Sequence, residues 1–348
     1  MNRERALAGG KSAAGPRQKI MLNANLKLNE KIFEETVEQK AVRDGFGQAL
    51  VELGEKNPDV VVLTADLSES TRVEAFAQKF PERFFEVGVA EQNMVAIAAG
   101  LAVSGKIPFT TSYGVFSPGK NLETIRTTVA YSQANVKIAG HHAGIITGPD
   151  GATHQATEDI AIMRILPGMT VFSPCDAIEA KKVTLAAATV DSPVYLRFSR
   201  AETPIITTDE TPFDNHIQIF WTSVKPKAVI FATGYLVYYA LLAAKNLEEF
   251  GTQVLVANVS TIKPVDEETI VKLASETGAV VTVEDHQIAG GLGGLIAEVL
   301  TKKHPAPIEF VGLKDTFAES GKPLELIKKY QLDDKAIEKA VKKVILRS

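Results

Sequence analysis

Apolar residues recur at Val42, Phe46, Ala49, Leu50 and Leu53, a helical spacing that predicts an amphipathic helix with Gly54 as its stop. Val60 to Thr64 is then an unbroken apolar run of buried-strand type. From there two periods alternate. Strands are predicted at 83–87, 107–111, 136–140, 170–173 and 194–198, and helices at 91–103, 120–131, 156–165 and 177–189. The alternation returns later in the chain. Strands are predicted at 228–232, 253–259, 279–283 and 308–311, with helices at 236–249, 266–276, 293–302, 323–330 and 334–346. Uninterrupted apolar strands joined by helices predict parallel sheets buried on both faces. The fold class is therefore α/β, with two domains, each a mostly parallel sheet covered by helices on both faces. Residues 203–224, with Pro204, Pro212 and a Thr/Asp/Asn-rich composition, read as a linker. The expected organisation is an N-terminal tail and arm over 1–38, a first α/β domain over 39–202, the linker, and a second α/β domain over 225–348.

Composition narrows the classes of function. The chain has 348 residues, 45% hydrophobic and 23% charged, with a net charge of -4. There is no basic excess to release counterions from a nucleic acid, so nucleic-acid binding is disfavoured. Cys175 is the one cysteine, which excludes an intrachain disulfide and a Cys-rich zinc site and suits a reducing, cytoplasmic setting. The longest apolar segment, 228–244, is broken by Thr233-Gly234 and falls short of a bilayer span. No membrane association is expected. Residues 1–19 lack the apolar core of a signal peptide; a disordered tail is the expectation, with a short organelle-targeting sequence as its alternative.

Parallel sheets bind ligands at the carboxyl ends of their strands, which draws attention to the loops following the predicted strands. One loop carries Asp66 and Ser70, another Gly88-Val89-Ala90-Glu91, and others Tyr113 with Phe116, His141 with His142, and Arg200. Glu91 opens a helix of small residues, which let a backbone or flat ligand approach closely. A carboxyl beside paired aromatics can be an acid kept partly protonated against a flat ring; it can equally be a helix cap next to core aromatics. The long Gly-rich loop from Gly144 to Gln155 carries Asp150 and His154, and such loops tend to be functional. Four residues apart in one loop, these two side chains can converge on one point. Glu284-Asp285-His286 followed by the Gly290 to Gly294 turn is like an anion-binding turn before a helix, although such turns also serve close packing and no Lys or Arg is near in sequence. No P-loop, HExxH or GxSxG signature occurs.

Together, Val87-Gly88-Val89-Ala90-Glu91-Gln92-Asn93-Met94, Thr111 to Gly119, Gly148-Pro149-Asp150-Gly151-Ala152-Thr153-His154-Gln155 and Phe317 to Ile327 resemble transketolase, over residues 40 to 345 and in the family's order. The likeness is to the second half of a full-length transketolase, its pyrimidine-binding and C-terminal domains. It implies the C-terminal subunit of a split enzyme that uses thiamine diphosphate to move a two-carbon glycolaldehyde unit from a ketose phosphate to an aldose phosphate. By the same resemblance, Glu91 bonds the cofactor's pyrimidine nitrogen, Tyr113 and Phe116 lie against that ring, and Asp66 reaches the thiazolium region. His154 contacts the transferred unit and Asp150 a sugar hydroxyl. Arg43, Ser70, His142 and Arg200 hold the phosphate end, a cationic set suited to a dianion. Residue by residue, the plainer readings are a surface helix position for Arg43, a helix cap for Ser70 and a strand-end pair for His141-His142. The diphosphate and its Mg2+ (or Ca2+) are expected on an N-terminal transketolase subunit, in an α2β2 heterotetramer, with no metal ligand on this chain. One departure stands out: a third aromatic that full-length members often place three residues after Phe116 is Gly119 here. The alternatives are a β subunit of a 2-oxo acid dehydrogenase, a deoxyxylulose phosphate synthase-like enzyme, and a catalytically silent scaffolding subunit.

Overall fold

The computed structural model describes residues 21–348; the tail read from residues 1–19 lies outside them. The first half runs β1 (Gln39–Ala41), α1 (Val42–Lys56), β2 (Val60–Thr64), α2 (Glu74–Lys79), β3 (Phe84–Glu86), α3 (Glu91–Val103) and β4 (Ile107–Tyr113). It continues with α4 (Leu122–Thr124), β5 (Lys137–His141), α5 (Asp159–Arg164), β6 (Thr170–Phe172), α6 (Ala177–Ala187), β7 (Val194–Arg197) and β8 (Glu202–Pro204). Next come β9 (Gln218–Trp221), β10 (Val229–Ala232), α7 (Leu236–Glu249), β11 (Leu255–Asn258), β12 (Thr261–Lys263) and α8 (Glu267–Thr277). The chain closes with β13 (Val280–Gln287), α9 (Leu292–Lys303), β14 (Ile308–Leu313), α10 (Pro323–Lys329) and α11 (Asp334–Ile345).

The apolar runs become parallel strands, as two-sided burial demands. In the first sheet the order is β12-β6-β7-β5-β4-β2-β3, parallel throughout except for β12, which arrives from the second half and pairs antiparallel with β6. The second sheet, β14-β13-β10-β11-β9, is parallel apart from its edge strand β9. Every residue of β2 and β5 is buried. The two halves share an interior: Met94, Ile138 and Tyr195 belong to one apolar cluster with Phe231, Ile262, Leu292 and Ile296.

Three local features differ from the periodicity. Residues 218–221, inside the stretch read as a linker, form β9, whose Phe220 and Trp221 are buried. Gly54 does not stop α1, which runs on to Lys56. A Cβ at Gly54 would lie 2.4 Å from the Phe80 ring, so the glycine serves helix-to-aromatic packing. The helix expected over 120–131 is a short α4 followed by a π-helical turn, Ile125–Ala130, that buries Ile125, Val129 and Ala130. Among the described residues, no helix is long and apolar enough to cross a membrane.

The halves are also joined by a buried polar junction. Arg197 Nε donates to Asp159 Oδ2 at 2.8 Å, Tyr195 donates its hydroxyl proton to the same oxygen at 2.8 Å, and Arg197 Nη2 donates to the Asp285 carbonyl at 2.8 Å. Arg197 and Asp159 are 5% and 1% exposed, so removing one charge strands the other away from water. Arg197→Ala is expected to destabilise the chain by about 3 to 5 kcal/mol in urea unfolding; a loss below about 1 kcal/mol would show that the pair is not a closed junction.

Candidate active site

The adjacent parallel strands β7, β5, β4, β2 and β3 lead, at their carboxyl ends, to Arg200, His142, Tyr113, Asp66 and Glu91 respectively. Local backbone chemistry holds these loops. Gly88 takes a φ of +68° between β3 and α3, a conformation glycine adopts without a Cβ penalty. Glu86 Oε1 accepts the amide protons of Asp66 at 2.8 Å and Gly88 at 2.9 Å, tying the Asp66 loop to the turn before Glu91.

Glu91 is the first residue of α3 and only 2% exposed. Lys120 Nζ lies 3.0 Å from its Oε2, and Asn121 Nδ2 donates to its backbone carbonyl at 3.0 Å. Both contacts come from the turn after β4. In that turn Phe116 and Ser117 donate backbone protons to the Tyr113 carbonyl, and Gly119 donates to Gly114 at 2.9 Å. Tyr113 and Phe116 stack at 5.8 Å and 19°. Gly119 now has a physical reason: a Cβ there would lie 2.2 Å from the Val115 carbonyl oxygen. Position 119 has no room for an aromatic side chain on this backbone, and the next residue, Lys120, reaches the carboxylate. Lys120 and Asn121 were not found from the sequence; the only signal was Gly119 itself, which permits the tight turn.

A second group gathers around His142. Its ring stacks on Tyr113 at 3.7 Å and 24°, while His154 meets Tyr113 and Phe116 edge-on at 5.9 and 5.6 Å. Burial first, then Arg43 and Arg200, push His142 down to about 3, so its imidazole is neutral. Arg43 is also lowered, by burial, Arg72 and Arg200. Arg43 Nη1 donates to the Ser70 carbonyl at 2.5 Å and Arg200 Nη1 to that of Thr147 at 3.1 Å. Two buried nitrogens here, Arg43 Nε and His142 Nδ1, have no protein partner among the described residues. The structure thus brings Arg43, His142 and Arg200 together, with Ser70 contributing its backbone.

The loop from Gly144 to Gln155 bridges to the second half. Gly144 faces Asp285 so closely that a Cβ would lie 1.9 Å from its carboxylate, and Ile145 N donates to Asp285 Oδ1 at 3.0 Å. Further along, a Cβ at Gly151 would meet Ser320 Oγ at 2.4 Å, and Gln155 Nε2 donates to the Glu319 carbonyl at 3.2 Å. His154 is half-buried on the aromatic pair; Asp150 is exposed. The Gly290 to Gly294 turn does hold a carboxyl group, but an internal one. Glu284, 1% exposed, accepts the amide protons of Leu292 and Gly293 at 2.7 and 2.8 Å. A Cβ at Gly291 would lie 2.0 Å from its Oε2. That turn is occupied by the protein's own carboxyl group. Among the described residues, no group of three or more His, Cys, Asp or Glu is placed to hold a metal ion.

Residues 38–205 match the family described as transketolase, pyrimidine binding domain, and residues 222–337 match transketolase, C-terminal domain. The chain is 46% identical over 310 residues to a putative transketolase C-terminal section of Methanocaldococcus jannaschii, covering 87% of this chain and 95% of the relative. It is 39% identical over 315 residues to a 6-deoxy-6-sulfo-D-fructose transketolase subunit of Clostridium sp., covering 90% and 98%. Among solved structures, a split gene transketolase described as an inactive beta4 tetramer superposes with a TM-score of 0.82 at 44% identity, covering 88% of this chain and 98% of that one.

His142 gives a test of the site's electrostatics. A folded value near 3 against an ordinary 6.5 means the unfolded chain takes up a proton in that window and the folded chain does not. The associated stability is present above about pH 6.5 and is lost as pH falls toward 3. In NMR of the anion-free chain, the His142 ring signals should stay flat from about pH 8 to pH 5; a midpoint near 6.5 would contradict the burial and cation effects.

Proposed function

The chain belongs to the transketolase family, and on that footing we propose that it is the C-terminal subunit of a two-polypeptide, thiamine diphosphate-dependent transketolase. It would transfer a two-carbon glycolaldehyde unit from a ketose phosphate to an aldose phosphate. The observation that carries this reading is the buried Glu91 carboxylate beside the Tyr113-Phe116 stack, on the same sheet edge as the cationic group around His142. The near end-to-end match to subunit-sized relatives, 95% and 98% of their lengths, supports the split arrangement.

The residues fit the pyrimidine end of the cofactor: a buried carboxylate at a turn that carries two stacked, half-exposed rings. When bound, thiamine diphosphate supplies a thiazolium carbon able to stabilise negative charge on the substrate. Glu91 would hold a proton shared with the pyrimidine nitrogen, and Tyr113 and Phe116 would cover the ring and exclude water. Lys120, with its side chain 48% exposed, is free to swing outward when the ring takes its place. Asp66 would approach the thiazolium region. At the substrate end, His154 would contact the transferred unit and Asp150 a hydroxyl, with Arg43, Ser70, His142 and Arg200 on the phosphate.

The diphosphate and its Mg2+ (or Ca2+) would be held by an N-terminal-half partner, in an α2β2 assembly. Supporting an interface, α3 and the turn before it expose Val89 (72%), Ile97 (37%) and Val103 (83%), apolar surface that a partner would cover. The buried lone Cys175 fits a cytoplasmic setting.

The test is reconstitution with a chain carrying the diphosphate-binding half, thiamine diphosphate and Mg2+, followed by a ketose phosphate cleavage assay. Wild-type complex should turn over, and Glu91→Gln should lower kcat by about 10²- to 10⁴-fold with an unchanged melting temperature. Near wild-type turnover by Glu91→Gln would remove Glu91 from this role, and full activity of the isolated chain would overturn the two-polypeptide reading.

A further inference from the structure

A third arginine borders the anion end of the site and has no place in the expected set. Arg72 follows Ser70 and Thr71, in a left-handed conformation with φ of +66°. Its backbone packs directly on α1 at Gly47, where a Cβ would lie 2.4 Å from the Arg72 carbonyl oxygen and 2.9 Å from its Cβ. One turn earlier on the same helix, Asp44 Oδ1 accepts from Arg72 Nε at 2.7 Å. This contact orients the guanidinium through one nitrogen, and both Nη groups have no protein partner among the described residues. The side chain is 39% exposed, so those groups are open to a ligand.

Position and charge agree. Arg43 neighbours Asp44 on α1 and bonds the Ser70 carbonyl, so the Arg72 loop and Arg43 are clamped to each other. Arg43 Nε and His142 Nδ1, both buried, have no partner among the described residues. Arg72 is close enough to depress the proton affinity of Arg43, His141 and His142. With His142 neutral, the guanidinium groups of Arg43, Arg72 and Arg200 set against the Asp44 carboxylate leave a surplus of two positive charges. A phosphate monoester carries about −1.5 to −2 near pH 7. Without Arg72 the surplus would be one.

We propose that Arg72 is a substrate-binding residue that completes a three-arginine clamp for a terminal phosphate dianion, its Nη groups donating to the phosphate while Asp44 aims them. The sugar's identity rests on the transketolase reading; the phosphate site does not. Removing a charge-assisted contact costs about 1.5 to 3 kcal/mol, equivalent to roughly tenfold to a hundredfold in affinity.

Two measurements on wild type, Arg72→Gln and Arg72→Lys test it. Calorimetric titration of the full chain with inorganic phosphate should show affinity weakened by about tenfold or more in Arg72→Gln and partly restored in Arg72→Lys. In the reconstituted complex, Arg72→Gln should raise KM for a phosphorylated ketose by a similar factor and leave kcat/KM for the same ketose without phosphate unchanged. Unaltered phosphate affinity, or equal losses on both ketoses, would overturn the assignment and leave Arg72 as a brace between its loop and α1. Arg72-dependent phosphate binding in a complex that cleaves neither ketose would support the clamp and count against the transketolase reading.

Discussion

A carboxylate taken out of water must be met by opposite charge or by hydrogen-bond donors, and that requirement shapes the site around Glu91. The chain meets it with Lys120, delivered by a turn so tight that Gly119 has no room for a Cβ. The same turn sets the Tyr113-Phe116 stack in place and anchors itself through Asn121 on the Glu91 carbonyl. Acid, rings and counter-ion are thus one mechanical unit. Of the two charged groups, Lys120 is the half-exposed one and Glu91 the buried one.

The rest of the edge depends on how the second half docks. Asp285 takes the Ile145 amide proton and the Tyr235 hydroxyl proton, at 3.0 and 2.7 Å, and crowds Gly144 so that only glycine fits. That contact fixes the start of the loop bearing His154, and Ser320 against Gly151 fixes its middle. Arg197 links the same region to Asp159. The second half therefore supports the loop bearing Asp150 and His154, and the side chains proposed to touch substrate belong to the first half.

Much of this was legible in the sequence. Continuous apolar or small-residue runs bounded by turn residues gave helix 91–103 and strand Val60–Thr64 with the bounds seen in the structure, and length separates the two, 13 residues against 5. The carboxyl-end rule for parallel sheets brought Glu91, Tyr113, His142 and Arg200 to one edge. What escaped was set by tertiary contact. Gly54 looked like a helix stop and is a packing contact with Phe80. The Gly290 to Gly294 turn looked like a ligand cradle, and the group it holds is the Glu284 carboxyl, six residues upstream. Lys120 and Arg72 carry no motif; each matters through a neighbour distant in sequence, Glu91 for one and Asp44 for the other. The short strand β9 was hidden in a Pro- and Thr-rich stretch whose composition outweighed four residues of strand pattern.

In the proposed function, Glu91 exchanges Lys120 for the cofactor's pyrimidine ring. A crystal structure of the assembled complex with thiamine diphosphate tests it most directly. A Glu91 carboxylate oxygen should lie within hydrogen-bond distance of a pyrimidine ring nitrogen, about 2.6 to 3.2 Å, with Lys120 withdrawn and the ring against Phe116. A pyrimidine bound elsewhere, with the Glu91-Lys120 pair still closed, would contradict it.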